Sequence, residues 1–135
     1  MIFNKTTSYA LNVLNFMAGN ERKIYPASYL HKQLGIPKDY LRTLLTRLSE
    51  KSLIRSVRGR NGGYIIARDI RMIFLTDIID AVQGRNVLHS CIMGFEKCPF
   101  DHQCIMHDIW EDTRKNITKV LNKTSLAYLK KTSKN

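Results

Sequence analysis

Leu34-Gly35-Ile36-Pro37-Lys38-Asp39-Tyr40-Leu41-Arg42-Thr43-Leu44-Leu45-Thr46-Arg47-Leu48-Ser49-Glu50-Lys51 holds a helix stop, a restart and an amphipathic helix. Gly35 breaks a short preceding helix, and Pro37 sits at or near a first helical turn, where its missing N–H costs nothing. The helix predicted over Lys38–Lys51 puts Tyr40, Leu41, Leu44, Leu45 and Leu48 on its inner face. Lys38, Asp39, Arg42, Thr43, Thr46 and Arg47 lie on the other. Before it, Pro26-Ala27 opens a helix that runs through Leu34. Two helices joined by a short Gly-containing turn, the second with a basic and polar outer face, form a helix-turn-helix pattern.

Downstream, Leu53-Ile54-Arg55-Ser56-Val57 and Tyr64-Ile65-Ile66-Ala67 are short β-branched runs around Arg58-Gly59-Arg60-Asn61-Gly62-Gly63. Such a pattern predicts a hairpin with an Arg-bearing glycine tip, and a hairpin directly after a recognition-type helix is a wing. Its glycines allow close approach to phosphate, and Arg58 and Arg60 flank them as minor-groove or phosphate cations. The glycines also loosely suggest a nucleotide-binding loop, but the absence of a Gly-Lys-Ser/Thr ending and of a following helix argues against it.

Upstream, Thr6–Ala18 carries an apolar stripe (Tyr9, Ala10, Val13, Leu14, Phe16, Met17) that ends at Gly19-Asn20. After the wing, Thr76 is expected to cap a short helix over Asp77–Val82 that stops at Gly84, with Asp77 suiting the positive N-terminus. A long final helix is predicted from near Cys104 to about Asn122, with Ile105, Ile109, Ile117, Val120 and Leu121 at helical spacing. Outside a three-helix core its stripe needs a cover, and the same helix of a second subunit supplies one; folding back on its own domain is the other option. Ser125 is placed to cap a last short helix through Leu126 and Leu129, followed by a polar, frayed tail over Lys130–Asn135.

The 135 residues suit one domain, and 44% hydrophobic with 24% charged residues is ordinary for a globular protein. Basic residues outnumber acidic ones 22 to 11, for a net charge of +11. Residues 1–75 hold 13 basic and 4 acidic side chains, or +9, whereas residues 76–135 hold 9 and 7, or +2. A polyanion site therefore belongs in the first 75 residues, and the helix-turn-helix and wing argue for DNA over an anionic membrane surface. No apolar stretch approaches the roughly 18 to 20 residues of a spanning helix, and the N-terminus lacks a signal-peptide cleavage site. A cytosolic (cytoplasmic) protein with no membrane partner is expected.

All three cysteines, Cys91, Cys98 and Cys104, fall within 14 residues, with His89, His102 and His107 beside them. An odd number of thiols cannot pair fully as disulfides, and so dense a cluster resembles a ligand set. Thiolates are soft donors that suit iron–sulfur clusters or zinc. A thiol enzyme using Cys104 with His107 lacks any oxyanion motif, so no enzyme is expected.

The run Tyr40-Leu41, Leu45, Arg47-Leu48, Leu53-Ile54, Ser56-Val57-Arg58-Gly59 and Gly62-Gly63-Tyr64 strongly resembles the Rrf-two family of bacterial winged-helix regulators. Thr7-Ser8-Tyr9-Ala10-Leu11 and Thr76-Asp77-Ile78-Ile79 extend the likeness over nearly the whole chain. The resemblance implies a cytosolic homodimeric transcription factor, with three loop cysteines before the dimerisation helix in cluster-bearing members. Cys91, Cys98 and Cys104 match those positions. His107, three residues after the last cysteine and followed by Trp110, matches the fourth ligand of the IscR-like branch and its 2Fe–2S cluster. The first gap here holds six residues rather than five, which leaves 4Fe–4S as an option. Ser8 stands where 4Fe–4S members of the NsrR type carry an acidic ligand, so that ligand is not carried over. Arg60-Asn61 replaces the common Pro-Gly of the wing. His31, His89 and His102 are read as surface or loop histidines. A structural zinc in a Cys3His site, or a cluster-free regulator, is the competing reading.

The expected architecture is mainly α with a small β-hairpin wing. It comprises a winged helix-turn-helix region (1–84), a cysteine-containing loop (85–103), and a dimerisation helix with tail (104–135), one compact domain overall. Ser28, Lys38, Asp39, Tyr40, Arg42, Thr43, Thr46, Arg47, Arg58, Gly59, Arg60, Asn61 and Gly62 are the expected DNA contacts, with Arg42 reading guanine and the two threonines as adaptable partners. A palindromic promoter operator follows from two-fold symmetry. Nitric oxide, an oxidant or iron shortage acting on the cluster would change operator affinity.

Overall fold

The computed structural model describes residues 3–95, 98–101 and 104–131, the side chains of residues 85, 86 and 131 excepted; His102 and the tail beyond residue 131 lie outside. The helices are α1 (Lys5–Met17), α2 (Ala27–Leu34), α3 (Lys38–Glu50), α4 (Leu75–Val82), α5 (Ile105–Lys123) and α6 (Leu126–Lys131). One antiparallel hairpin, β1 (Ile54–Val57) and β2 (Gly63–Ile66), pairs Ile54 with Ile66 and Val57 with Gly63. Short 3-10 turns cover Ala18–Asn20, Ile70–Met72 and Arg85–Leu88. The mainly helical fold with a hairpin wing and a long C-terminal helix is as the sequence predicts.

Asn4 starts α1 by accepting from the Thr7 N–H at 3.0 Å, which satisfies one orphan donor of the first turn. The inner face of α1 buries Ala10, Val13, Leu14 and Met17. Gly35 ends α2 in the left-handed region (φ +67°), with its N–H on the His31 carbonyl at 2.9 Å. Then α3 buries Leu41, Leu44, Leu45 and Leu48, each contributing about 2 kcal/mol of transfer free energy.

Tyr40 departs from the expected inner face: it is exposed at the surface. One position ahead of Leu41 it is rotated by about 100° from that leucine, past the edge of the stripe. Its ring instead stands edge-on to Tyr9, 5.4 Å between centroids, and its hydroxyl bonds that of Thr6.

The N-cap of α4 is also corrected. Helix α4 begins at Leu75 with Phe74 at the cap position, so Thr76 lies inside the first turn. Asp77 closes that end by accepting the Phe74 N–H at 2.9 Å. Ser125 does cap the last helix, its hydroxyl accepting from the Tyr128 N–H at 3.1 Å.

Two short bridges organise the molecule beyond local structure. Tyr25 and Tyr64 exchange both backbone hydrogen bonds, at 2.7 and 2.8 Å, and so tie the α1–α2 connection to the base of the wing. Near the C-terminus, Leu75 donates to Thr124 at 3.0 Å and Leu126 donates to Ile73 at 2.7 Å. The second bridge returns α6 to the first helices, where Leu126 is fully buried.

Helix α5 lies against α4 yet buries no residue completely. Trp110, Ile117 and Leu121 are half-buried, while Ile105, Ile109 and Val120 are 79%, 54% and 62% exposed. Its apolar residues thus divide between an inner edge and an outer one left exposed among the described residues.

Candidate nucleic-acid interface and cysteine site

Arg42, Thr43 and Thr46 project from the exposed face of α3. The Thr43 hydroxyl donates to Asp39 O at 3.3 Å and the Thr46 hydroxyl to Arg42 O at 3.0 Å. Both oxygens keep lone pairs for an incoming donor. The Arg42 guanidinium makes no hydrogen bond among the described residues. Lys38 and Asp39 are exposed in the first turn of α3, and Ser28 in the first turn of α2.

Arg47 has a second task. Its guanidinium donates to Val82 O at 3.2 Å, at the C-terminal end of α4. It therefore braces α3 against α4 as well as adding charge. Arg68, which the sequence did not single out, likewise closes the end of α3 by donating to Lys51 O at 2.7 Å and Ser52 O at 3.1 Å.

In the wing, Arg58, Gly59, Arg60 and Asn61 are exposed. The tip is closed by the Gly62 N–H on Gly59 O at 3.1 Å. A Cβ at Gly62 would lie 2.1 Å from Val57 O, and one at Gly63 would lie 2.5 Å from Tyr25 O. These two glycines are required by backbone approaches inside the protein. Gly59 faces open space at φ +110°, which makes it the tip glycine open to an outside partner.

Near the wing base, burial and then the neighbouring Tyr29 push the Tyr25 phenol above its ordinary value. The Arg71 guanidinium, by hydrogen bonding, holds Asp69 at about 2; Asp69 in turn raises Arg71.

The cysteine loop places its predicted donors around one cavity, while among the described residues the ligand atoms close enough together to share an ion as they stand are those of His107, Asp108 and Glu111. Cys91, Cys98, Cys104 and His107 line one cavity, whose remaining wall is Ile92, Met93, Phe95, Phe100, Met106 and Trp110. None of the three cysteines is in a disulfide, and all are half-buried. A turn closed by the Gly94 N–H on Cys91 O at 2.9 Å shapes the first arm, and the Met93 N–H points at Cys91 Sγ from 3.4 Å. Cys104 occupies the position before α5, with its carbonyl accepting from the His107 N–H at 3.0 Å. The loop is fastened to α5 through Ser90, whose carbonyl accepts from Trp110 Nε1 at 2.9 Å and Arg114 Nη1 at 3.3 Å.

Three thiols and an imidazole behind an apolar wall fit a metal or an iron–sulfur cluster, since soft donors and a low-polarity shell suit both. His31 lies elsewhere, with Nδ1 2.6 Å from Ile36 O in the α2–α3 turn. His89 is exposed beside a groove lined by Lys115 and Lys119. A residue the sequence reading passed over, Glu111, places Oε2 3.5 Å from His107 Nε2 and Oε1 3.4 Å from Lys115 Nζ. The four-residue spacing from His107 was its only signal.

Residues 3–132 match the family profile described as Rrf2, "Iron-dependent Transcriptional regulator". The chain belongs to the Rrf2 family. Rrf2 proteins are transcriptional regulators rather than enzymes. The HTH-type transcriptional regulator IscR of Xenorhabdus nematophila is 36% identical over 106 residues, covering 78% of this chain and 64% of the relative. The chain thus spans less than two-thirds of that relative's length. Among solved structures, CymR, the global cysteine regulator of B. subtilis, superposes with a TM-score of 0.81 at 22% identity over 97% of each chain. T. potens IscR gives 0.77 at 25% identity, over 96% of this chain and 85% of that one. No helix among the described residues is long and apolar enough to cross a membrane.

Proposed function

We propose that this Rrf2 chain is a homodimeric, DNA-binding transcriptional regulator whose grip on a palindromic promoter operator is controlled by an iron–sulfur cluster. Cys91, Cys98, Cys104 and His107 would hold the cluster, with 2Fe–2S favoured by one imidazole among three thiolates. The observation that carries this reading is the single apolar-walled cavity lined by all four side chains at the start of α5.

When bound, the cluster supplies a redox-active group open to attack by nitric oxide or oxidants. The chain supplies the coupling. Residues 85–103 form the sensing loop between the DNA-reading region (1–84) and the helix and tail (104–135), and Ser90 anchors that loop to Trp110 and Arg114. The uncovered edge of α5, Ile105, Ile109 and Val120, is the natural seam for a second copy. Two-fold pairing there sets two α3 helices toward successive major grooves. Arg42 reads guanine, Thr43 and Thr46 adapt, and Lys38, Tyr40, Arg47, Arg58 and Arg60 hold phosphates or the minor groove. Differential affinity of the cluster for two arrangements of the subunits is what shifts operator binding.

Anaerobic purification tests the reading. Visible absorption with stoichiometric iron and acid-labile sulfide, lost together with operator affinity or choice on exposure to nitric oxide, supports it. Normal regulation by protein free of iron and sulfide, or by a variant with all three cysteines replaced by alanine, refutes it. A zinc ion on the same Cys3His set is the second reading, favoured by the soft donors alone; colourless protein with stoichiometric zinc identifies it.

A further inference from the structure

We propose that Glu111 is a positioning residue for His107: its carboxylate takes one imidazole nitrogen, Nε2, and thereby commits the other, Nδ1, to the metal. This rests on the ligand set of the preceding section and adds a residue outside it.

The geometry comes from the helix. His107, Glu111 and Lys115 follow one another at four-residue intervals on one face of α5, where side chains one turn apart meet. Glu111 lies between the other two, with Oε2 3.5 Å from His107 Nε2 and Oε1 3.4 Å from Lys115 Nζ. Lys115 occupies one carboxylate oxygen and so turns the other toward the ring. Ligand atoms of His107, Asp108 and Glu111 all lie within 4.8 Å of one another, so the carboxylate is close enough to act on the imidazole directly.

A neutral imidazole carries one N–H and one lone pair, and the hydrogen bond made by one nitrogen decides which nitrogen ligates. Closing the 3.5 Å separation to Glu111 would place the proton on Nε2 and the lone pair on Nδ1, and the contact would then oppose turning of the ring. The cavity lined by Cys104 and His107 begins at the same turn of the helix. Glu111 and His107 are each about one-third exposed, which makes orientation, rather than strong electrostatics, the contribution expected of the carboxylate.

Cobalt(II) titration of the reduced full-length protein, followed by thiolate-to-cobalt charge-transfer and ligand-field bands, provides the test. The same variants are also loaded with cluster anaerobically for visible and electron paramagnetic resonance spectra. Glu111→Ala is expected to weaken cobalt binding about 10-fold or more, as loss of an outer-shell partner typically does, and to alter the cluster spectra. Glu111→Gln, whose amide oxygen can still accept from Nε2–H, should recover much of that loss. Asp112→Asn removes the same charge one residue later and should bind like the parent. The proposal is overturned if Glu111→Ala matches the parent in affinity and spectra, or if Asp112→Asn weakens binding as much. Should the parent protein itself give no thiolate-to-cobalt bands, the ligand set fails, and the positioning role with it.

Discussion

The indole N–H of Trp110 donates to the backbone carbonyl of Ser90 across 2.9 Å, joining the second turn of α5 to the residue just before Cys91. Arg114, one turn later, donates to the same oxygen at 3.3 Å. The cysteine loop is thereby held to the helix by its backbone, independently of any ligand.

Trp110→Phe keeps most of the ring in the cavity wall and removes the donor. It should cost about 1 kcal/mol of stability, the net worth of one such bond, measured by urea unfolding. Amide hydrogen exchange around residues 90–95 should accelerate selectively, while exchange within α1 and α3 stays at the parental rate.

Arg42 and Arg47 should separate under substitution although both are exposed arginines of α3. Arg42→Ala should leave stability within about 0.5 kcal/mol of the parent, as surface changes usually do, and relax operator preference at one base pair by about 1–3 kcal/mol. Arg47→Ala should lose about 1 kcal/mol of stability with the Val82 contact and weaken all DNA sequences alike. Operator titrations with single-base variants, read beside denaturation curves, distinguish them.

The wing glycines form a graded series. Gly63→Ala must displace the Tyr25 backbone, 2.5 Å from the added carbon, and should cost more than about 2 kcal/mol, with opening of the Tyr25–Tyr64 bridge. Gly59→Ala meets open space and bears only its positive φ, about 1 kcal/mol. Thermal melts rank the two; equal losses would contradict the geometry.

Asp69 gives a pH signature. Its carboxyl is held at about 2 by hydrogen bonds from Arg71, below its ordinary value. Depression of a folded-state carboxylate means its contribution is present above the ordinary value of 3.8 and is lost as pH falls toward about 2. An NMR titration should place its midpoint near 2, and Arg71→Ala should return it toward the ordinary range.

Much of this arrangement is written locally. The four leucines of α3 recur at helical spacing, and Gly35 and Pro37 punctuate its start, so the helix-turn-helix is legible from residues that act on their neighbours. The cysteines are legible because their chemistry is rare and their spacing dense. Tyr40 is not, since an aromatic at the margin of a stripe is placed by Tyr9 and Thr6 on another helix. The cap of α4 shifted because Asp77 reaches back to Phe74, making Thr76 unnecessary there. Least legible is the Tyr25–Tyr64 bridge, a backbone contact between distant segments that leaves only a second glycine, Gly63, as its trace.

Helix α5 is clamped at both ends: at its start by Ser90, at its finish by the Leu75–Thr124 and Leu126–Ile73 backbone bonds. A beam fixed so cannot pivot on one end. In the proposed dimer, a rotation imposed along a seam on α5 would therefore be delivered as torque to the rest of the chain rather than absorbed at one end of the helix.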